Sequence, residues 1–302
     1  MQPMSAELFE QLVLSKPYFD NQGLILALDG RTAVGFVHAG FGANDDGSGI
    51  STVMGVTCML MVRRDYRRMG IGSQLLAHSE QYLRGRGAQV LYGGSIRPLN
   101  PFYLGLYGGS ELPGVLASDV EAQHLYRSNG YRDVNHTVIL HRDLKSFRPI
   151  VDRQQIQIRR RSTLKVTVDP PTTTWWQACT VGAFDRGRFD LLLMGGADRA
   201  VATVTAWSME PLSTSWGVRA MGLIDLEVDP SSRRQGLATF LLGEAFRQLQ
   251  QQGVALIEVQ TMEDNSSARS LYRKLGFEQV DSGAVFRKDD ASRSSLRAGP
   301  AA

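Results

Sequence analysis

Val62-Arg63-Arg64-Asp65-Tyr66-Arg67-Arg68-Met69-Gly70-Ile71-Gly72 and Val228-Asp229-Pro230-Ser231-Ser232-Arg233-Arg234-Gln235-Gly236-Leu237-Ala238 each close an apolar run and open an amphipathic one. The amphipathic stretches read alike. Ile71, Leu75, Leu76, Ser79, Tyr82 and Leu83 stand beside Leu237, Leu241, Leu242, Ala245 and Leu249, the spacing of a one-faced helix. Glycines that suit a helix C-terminus follow (Gly85 and Gly87; Gly253), then a short apolar run consistent with a buried strand, Val90-Leu91-Tyr92 or Leu256-Ile257-Glu258-Val259. The pattern is strand, Gly-turn, helix, strand, written twice.

The duplication extends outward in both directions. Downstream, Ala122, Leu125, Tyr126, Gly130 and Tyr131 match Ala268, Leu271, Tyr272, Gly276 and Phe277. Upstream, residues 23–28, Asp29-Gly30 and residues 32–38 read as a hairpin whose counterpart is 189–194, a turn at 195–198, and 200–207. The two copies differ mainly by an insertion in the first, residues 93–116 (GGSIRPLNPFYLGLYGGSELPGVL), which reads either as a lid over the first cleft or as a docking loop. A repeat this long means duplicated domains rather than a solenoid. The expected fold class is α/β (α+β): two tandem units, each a central mixed, mainly antiparallel sheet flanked by helices. Boundaries are expected at 1–147, a linker at 148–161, 162–288, and a flexible tail at 289–302, small and polar.

Composition bounds what such a chain does. Its 302 residues are 43% hydrophobic, enough for large cores, which excludes global disorder. Lys and Arg number 33 against 30 Asp and Glu, a net +3 that is no nucleic-acid footprint. The basic residues are nearly all Arg (28, with 5 Lys), a bias attributed to codon usage, so single arginines are judged by position. Cys58 and Cys179 make no disulfide framework and read as reduced thiols. His38, His78, His124, His136 and His141 lack ligand spacing, and no metal is expected. The start lacks a signal-peptide pattern, and the uncharged run 47–62 has 16 residues where a span needs ~20, so a cytoplasmic protein without membrane partners is expected.

The turn between strand and helix carries the chemistry. A helix N-terminus presents unpaired N–H groups and the positive dipole end, and small residues there let backbone approach phosphate oxygens. The turn is neither a Walker A loop nor a dinucleotide fingerprint. Arg-x-x-Gly-x-Gly/Ala, found twice and each time followed by Ala-x-x-Leu-Tyr-x-x-x-Gly-aromatic, resembles the GNAT superfamily of acyl-CoA-dependent N-acyltransferases; the likeness covers roughly residues 24–140 and 164–286. The resemblance implies acetyl-CoA as co-substrate, gripped at its pyrophosphate by Val62, Arg67, Arg68, Met69, Gly70, Ile71, Gly72 and Ser73 and by Val228, Arg233, Arg234, Gln235, Gly236, Leu237, Ala238 and Thr239. It also implies direct transfer to an amine without a covalent enzyme intermediate. The oxyanion donor would be a strand amide near Val228 or Val62, the acid for the departing thiolate Tyr272 or Tyr126, and Asn265 a holder of the pantetheine arm.

Aligning the copies separates them. Glu227 stands where the first copy has Met61, Glu258 where it has Tyr92, and Asn265 where it has Asp119. A carboxylate inside an apolar strand is either paired, exposed or used as a base. Tyr272, Glu227 and Glu258 are therefore the catalytic candidates, in the C-terminal half. A non-catalytic acyl-CoA sensor and catalysis in the N-terminal half are the alternatives. The acceptor is expected to be a small-molecule or peptide amine, and the protein a monomer or homodimer. The first half leaves no room for the family's usual opening strand and full first helix, so its acceptor side needs residues from the second. Tyr126 and the Trp175-Trp176 pair read as core aromatics, and Arg159-Arg160-Arg161 as a solvated linker face.

Overall fold

The computed structural model describes residues 5–195 and 199–289; the expected tail lies, apart from Asp289, outside the described residues, as does part of the 195–198 turn. In the first half, a short helix α1 (Ala6–Phe9) precedes β1 (Leu24–Asp29), β2 (Thr32–Ala43) and β3 (Ile50–Val62). Helix α2 (Ile71–Gly85), β4 (Val90–Gly93), β5 (Val115–Leu116), α3 (Val120–Ser128) and β6 (Arg132–Asp143) follow. In the second half come α4 (Arg153–Arg161), β7 (Ser162–Val168), α5 (Trp175–Val181), β8 (Arg186–Leu193), β9 (Ala202–Ser208) and α6 (Glu210–Trp216). The chain ends on β10 (Ala220–Val228), α7 (Leu237–Gln251), β11 (Leu256–Met262), α8 (Ser266–Lys274) and β12 (Glu278–Asp289).

All the strands join one sheet, ordered β1-β2-β3-β4-β12-β6-β11-β10-β9-β8-β7, with β5 paired to β12. Each half keeps the expected pattern of an antiparallel meander followed by a parallel pair, β3 with β4 and β10 with β11. The closing strands are exchanged. β12, last of the second half, inserts between β4 and β6 of the first, and β6 pairs on its other side with β11 of the second. The two halves therefore share their central strands, which no local pattern in the sequence signals.

Packing follows the periodicity. Helix α2 buries Leu75, Leu76, Ser79 and Leu83, and α7 buries Leu237, Leu241, Leu242, Ala245 and Leu249. The first-half core crosses the exchange: Tyr126 of α3 stacks on Phe286 of β12, ring centroids 5.3 Å apart and 15° from parallel. Ahead of β1 the described residues hold only helical turns, and second-half residues cover that face. The Trp176 amide donates to the Gly47 carbonyl (2.9 Å), and Tyr18 packs against the Trp176 ring at 4.9 Å. Trp176 is accordingly buried, as a core aromatic should be, while Trp175 is half-exposed. The expected linker is not a loop at its end but the helix α4, capped by Asp152; Arg159, exposed on the solvated face with Arg160 and Arg161, also pairs with Glu244 of α7.

Candidate active site

The parallel pairs splay in both halves. β3 and β4 pair only through residues 54–57 and 90–93, and β10 and β11 only through 220–223 and 256–259. Beyond those points each pair opens a wedge whose mouth is the helix-opening turn. A bulge marks the inner end of each wedge, at Cys58 in β3 and at Asp225–Leu226 in β10, where Asp225 adopts φ +54°.

The two turns have one geometry. Arg68 and Gly70 take φ +64° and +79°, and Arg234 and Gly236 take +61° and +78°. Arg67 Nε donates to the Val62 carbonyl (3.1 Å) and Arg233 Nε to the Val228 carbonyl (3.2 Å). The first arginine of each pair thus ties the turn to its strand, and the second is exposed at the mouth. The glycine is required because the left-handed turn lets the next three amides point out of the helix end unpaired. Arg63 N donates to Val34 O and Asp229 N to Val201 O, inside the ladder. Successive residues of a strand face opposite edges, so Val62 and Val228 direct their amides toward the wedge.

The first wedge is a cleft of about 680 Å³. Met61 and Val62 line one wall, Gly70, Gly72 and Ser73 the mouth, Leu125 the other wall, and Tyr126, Tyr107 and Cys58 the inner end. Met69 and Ile71 flank the mouth glycine. Asp119, which caps α3, lines this cleft as well, and its charge adds to the effect of burial on the Tyr126 phenol. Burial pushes the Cys58 thiol up to about 12 and raises the Tyr126 phenol, so both stay protonated.

The second wedge differs at both ends. At the mouth, α4 lies against the turn, and Gln155 Nε2 approaches the Gly236 carbonyl at 3.4 Å. Gln235 and Ala238 keep accessible surface there, while Leu237 and Thr239 are buried. At the inner end stands the inserted segment of the first half. Ser110 N donates to Glu258 Oε1 (2.6 Å), Trp207 Nε1 donates to Ser110 O (3.1 Å), and Gln260 Nε2 donates to the carbonyls of Gly108 (2.7 Å) and Glu111 (2.9 Å). A Cβ on Gly109 would lie 2.0 Å from Glu258 Oε1, so only glycine passes there. The insertion is thus a docking segment between the halves rather than a free lid.

The expected site residues separate in space. Tyr272 is buried on α8 facing the second wedge, its phenol raised first by burial and then by the charge of Glu111. Glu258 is 2% exposed and fully engaged: besides Ser110, it takes a 3.2 Å bond from Gln260 and a 2.8 Å contact with His141 Nε2. Glu227 is exposed on β10, paired in register with Thr203. Asn265 is the N-cap of α8, its Oδ1 accepting from Ala268 N (3.1 Å), as Asp119 caps α3. Its Oδ1 is thus engaged at the helix end, and Nδ2 is the donor end of the side chain.

Residues absent from the sequence expectations complete the inner end. Arg97 Nη1 bonds Asp225 Oδ1 (2.6 Å) and lies 3.9 Å from Glu111 Oε1. Burial pushes the Glu111 carboxyl up to about 7, the Arg97 charge opposes that and Asp225 adds to it. The only local signal was an acid inside the Gly-rich run Gly108-Gly109-Ser110-Glu111; its destination depends on packing. Among the described residues no group of three or more His, Cys, Asp or Glu is arranged to hold a metal.

The duplicated strand–turn–helix wedge, with unpaired amides at each helix start, has the form of a backbone anion site. Residues 157–277 match the Acetyltransferase (GNAT) family and residues 20–133 the Acetyltransferase (GNAT) domain, and the chain belongs to that family as a tandem pair. It is 37% identical over 58 residues to the [Ribosomal protein bS18]-alanine N-acetyltransferase of Escherichia coli (strain K12), 19% of this chain and 39% of that protein. The counterpart of Haemophilus ducreyi is 36% identical over 58 residues, 19% of this chain and 40% of that protein. The chain thus matches about two-fifths of the length of these curated relatives. Among solved structures it resembles a tandem GNAT protein from the clavulanic acid biosynthesis pathway (TM-score 0.59, 15% identity, 92% of this chain and 83% of that one). It also resembles a GCN5-related N-acetyltransferase from Sphaerobacter thermophilus (TM-score 0.60, 17% identity, 89% and 81%). At these identities the likeness is one of fold.

Proposed function

We propose that this protein transfers acetyl from acetyl-CoA directly to the amine of a small molecule or peptide, with the chemistry in the second half and a second coenzyme held by the first. The observation that carries this reading is where the proton-handling groups stand. Glu111, its carboxyl pushed up to about 7, and Asp225 stand with Tyr272 at the inner end of the second wedge, while the first holds Cys58, Tyr126 and Asp119, the carboxylate that caps α3. Amine acylation needs a proton acceptor, an oxyanion donor and an acid for the thiolate. Tyr272, kept protonated, suits the acid; the wedge-facing amides of β10 suit the oxyanion. Open amides at both turns support coenzyme binding at both, through Val62 and Arg68 to Ser73 and through Val228 and Arg234 to Thr239. The match to alanine N-acetyltransferases supports acetyl as the group transferred, and leaves the acceptor at the level of an amine.

The 680 Å³ cleft favours a second reading, catalysis in the first half. Matched charge substitutions decide between them. Gly72 and Ala238 occupy equivalent places without positive φ, and a carboxylate there repels phosphate while suiting a helix N-terminus. Calorimetric titration of acetyl-CoA is expected to lose one site in Gly72→Glu and the other in Ala238→Glu. Thiol release with an amine panel is expected to survive Gly72→Glu and vanish in Ala238→Glu. The opposite assignment moves the chemistry to the first half, and thiol-free coenzyme binding leaves a sensor.

A further inference from the structure

We propose that Glu111, delivered by the insertion of the first half, is the general base of the second half's acyl site. The inference rests on the acetyltransferase reading above and names a residue for it. Three carboxylates at the inner end compete for the role, Glu258, Asp225 and Glu111; Glu227, the fourth candidate, is exposed on β10 and lies further out, acting on Arg97. Glu258 is excluded by its bonding: both oxygens already accept, from Ser110 N, Gln260 Nε2 and the His141 ring. Those contacts and its 2% exposure leave an incoming ammonium no open approach to it. Asp225 is held by Arg97 at 2.6 Å. Glu111 alone of the three has no hydrogen bond to its carboxylate, its one charged partner being Arg97 Nη1 at 3.9 Å, with about a third of its side chain accessible (31%).

Its position is fixed from the backbone. The carbonyls of Gly108 and Glu111 are both held by the Gln260 amide, and Ser110 is held at its amide by Glu258 and at its carbonyl by Trp207. Glu258 and Gln260 are thus positioning residues that clamp the segment, and the side chain beyond the clamp is left free. The groups facing it are Arg97 from the insertion, Asp225 and, further out, Glu227 from β10, and Tyr272 from α8, with the Glu258–His141 pair behind the segment. A carboxyl pushed up to about 7 by burial is poised to exchange a proton near neutrality, which is the condition for an efficient base.

The reaction balances. The acceptor ammonium gives one proton to the Glu111 carboxylate, and the neutral nitrogen attacks the thioester carbonyl, forming the C–N bond. The C–S bond then breaks, the thiolate takes the Tyr272 proton, and the excess proton on nitrogen restores the phenol. Protonated Glu111 releases its proton to water, leaving amide and free thiol.

The test uses the full chain with acetyl-CoA and three amine probes: a peptide with a free amino-terminal alanine, spermidine and glucosamine. Glu111→Gln is expected to lower kcat at least tenfold and to remove the limb of the pH–rate profile near 7, with the affinity for acetyl-CoA kept within about twofold. Glu111→Asp is expected to restore part of kcat and to shift that limb. Carbon-13 NMR of protein labelled at glutamate Cδ is expected to show one carboxyl titrating near pH 7 that disappears in Glu111→Gln and moves on adding acetyl-CoA. Glu111→Gln with wild-type kcat and an intact limb overturns the assignment while the acetyltransferase reading stands. A wild-type protein that turns over none of the three probes, and whose titrating carboxyl ignores acetyl-CoA, overturns both.

Discussion

The backbone amide of Ser110 donates to Glu258 Oε1 across 2.6 Å, joining an inserted segment of the first half to a buried strand carboxylate of the second. The donor and acceptor are 148 residues apart in the chain. A carboxylate at 2% exposure is tolerated only when its oxygens are satisfied, and this one is satisfied by backbone, amide and imidazole together. The contact holds the insertion against β11.

Gly109 is the residue that makes the approach, at φ +105°. Gly109→Ala places a methyl group against Glu258 Oε1 and strains the backbone, and is expected to cost about 2–4 kcal/mol. Urea unfolding measures it; a change under about 0.5 kcal/mol would show that the segment is not clamped.

The exchange of β6 and β12 makes the halves one cooperative unit. Phe286 is fully buried in the first-half core although it belongs to the last strand. Phe286→Ala is expected to cost about 3–5 kcal/mol. All four tryptophans lie in the second half, and Trp176 and Trp207 also contact the first through Gly47 and Ser110, so their fluorescence reports that half and its contacts with the first. Fluorescence and far-ultraviolet dichroism are expected to shift together to a lower midpoint. A fluorescence transition that stays in place while dichroism splits would mean two independently folding domains.

His38 is fully buried, its Nδ1 2.9 Å from the Tyr103 hydroxyl, and burial lowers its pKa to about 4 from an ordinary 6.5. Between these values the unfolded chain binds the proton and the folded one does not, so acid favours unfolding. Stability from this residue is full above about pH 6.5 and is lost progressively down to about pH 4, by at most about 3 kcal/mol. His38→Asn keeps an acceptor for Tyr103 and is expected to flatten the stability–pH slope in that window. An unchanged slope would assign acid sensitivity elsewhere.

The two tyrosines of the repeated motif are expected to diverge. Tyr272→Phe should lower kcat at least tenfold, about 1.4 kcal/mol, because it removes the proton donor for the thiolate. Tyr126→Phe should leave kcat within about twofold. Steady-state rates on the amine probes decide it, and equal losses would implicate both wedges.

Much of the wedge was legible because its determinants are local. The turn needs glycine at Gly70 and Gly236, the helices need one apolar face, and Arg67 and Arg233 bond strand ends only five residues away. Asn265 shows the limit: a residue read as a ligand holder also caps α8 through its Oδ1, a structural duty that spacing does not reveal.

The amino-acid sequence by itself determined the duplication, the strand–turn–helix units, the phosphate-facing turns and the family, since each depends on residues within a few turns of one another. Tertiary structure decided which strands lie together and which carboxylates are free. β6 and β12 exchange neighbours because an edge left open by one half is closed by the other, and hydrogen-bond pairing does not depend on chain order. Glu258, a base candidate in the sequence, receives a backbone amide of the insertion, and packing sets Glu111 within electrostatic reach of Tyr272. Burial and partner, the two quantities that govern a carboxylate's chemistry, belong to the folded chain.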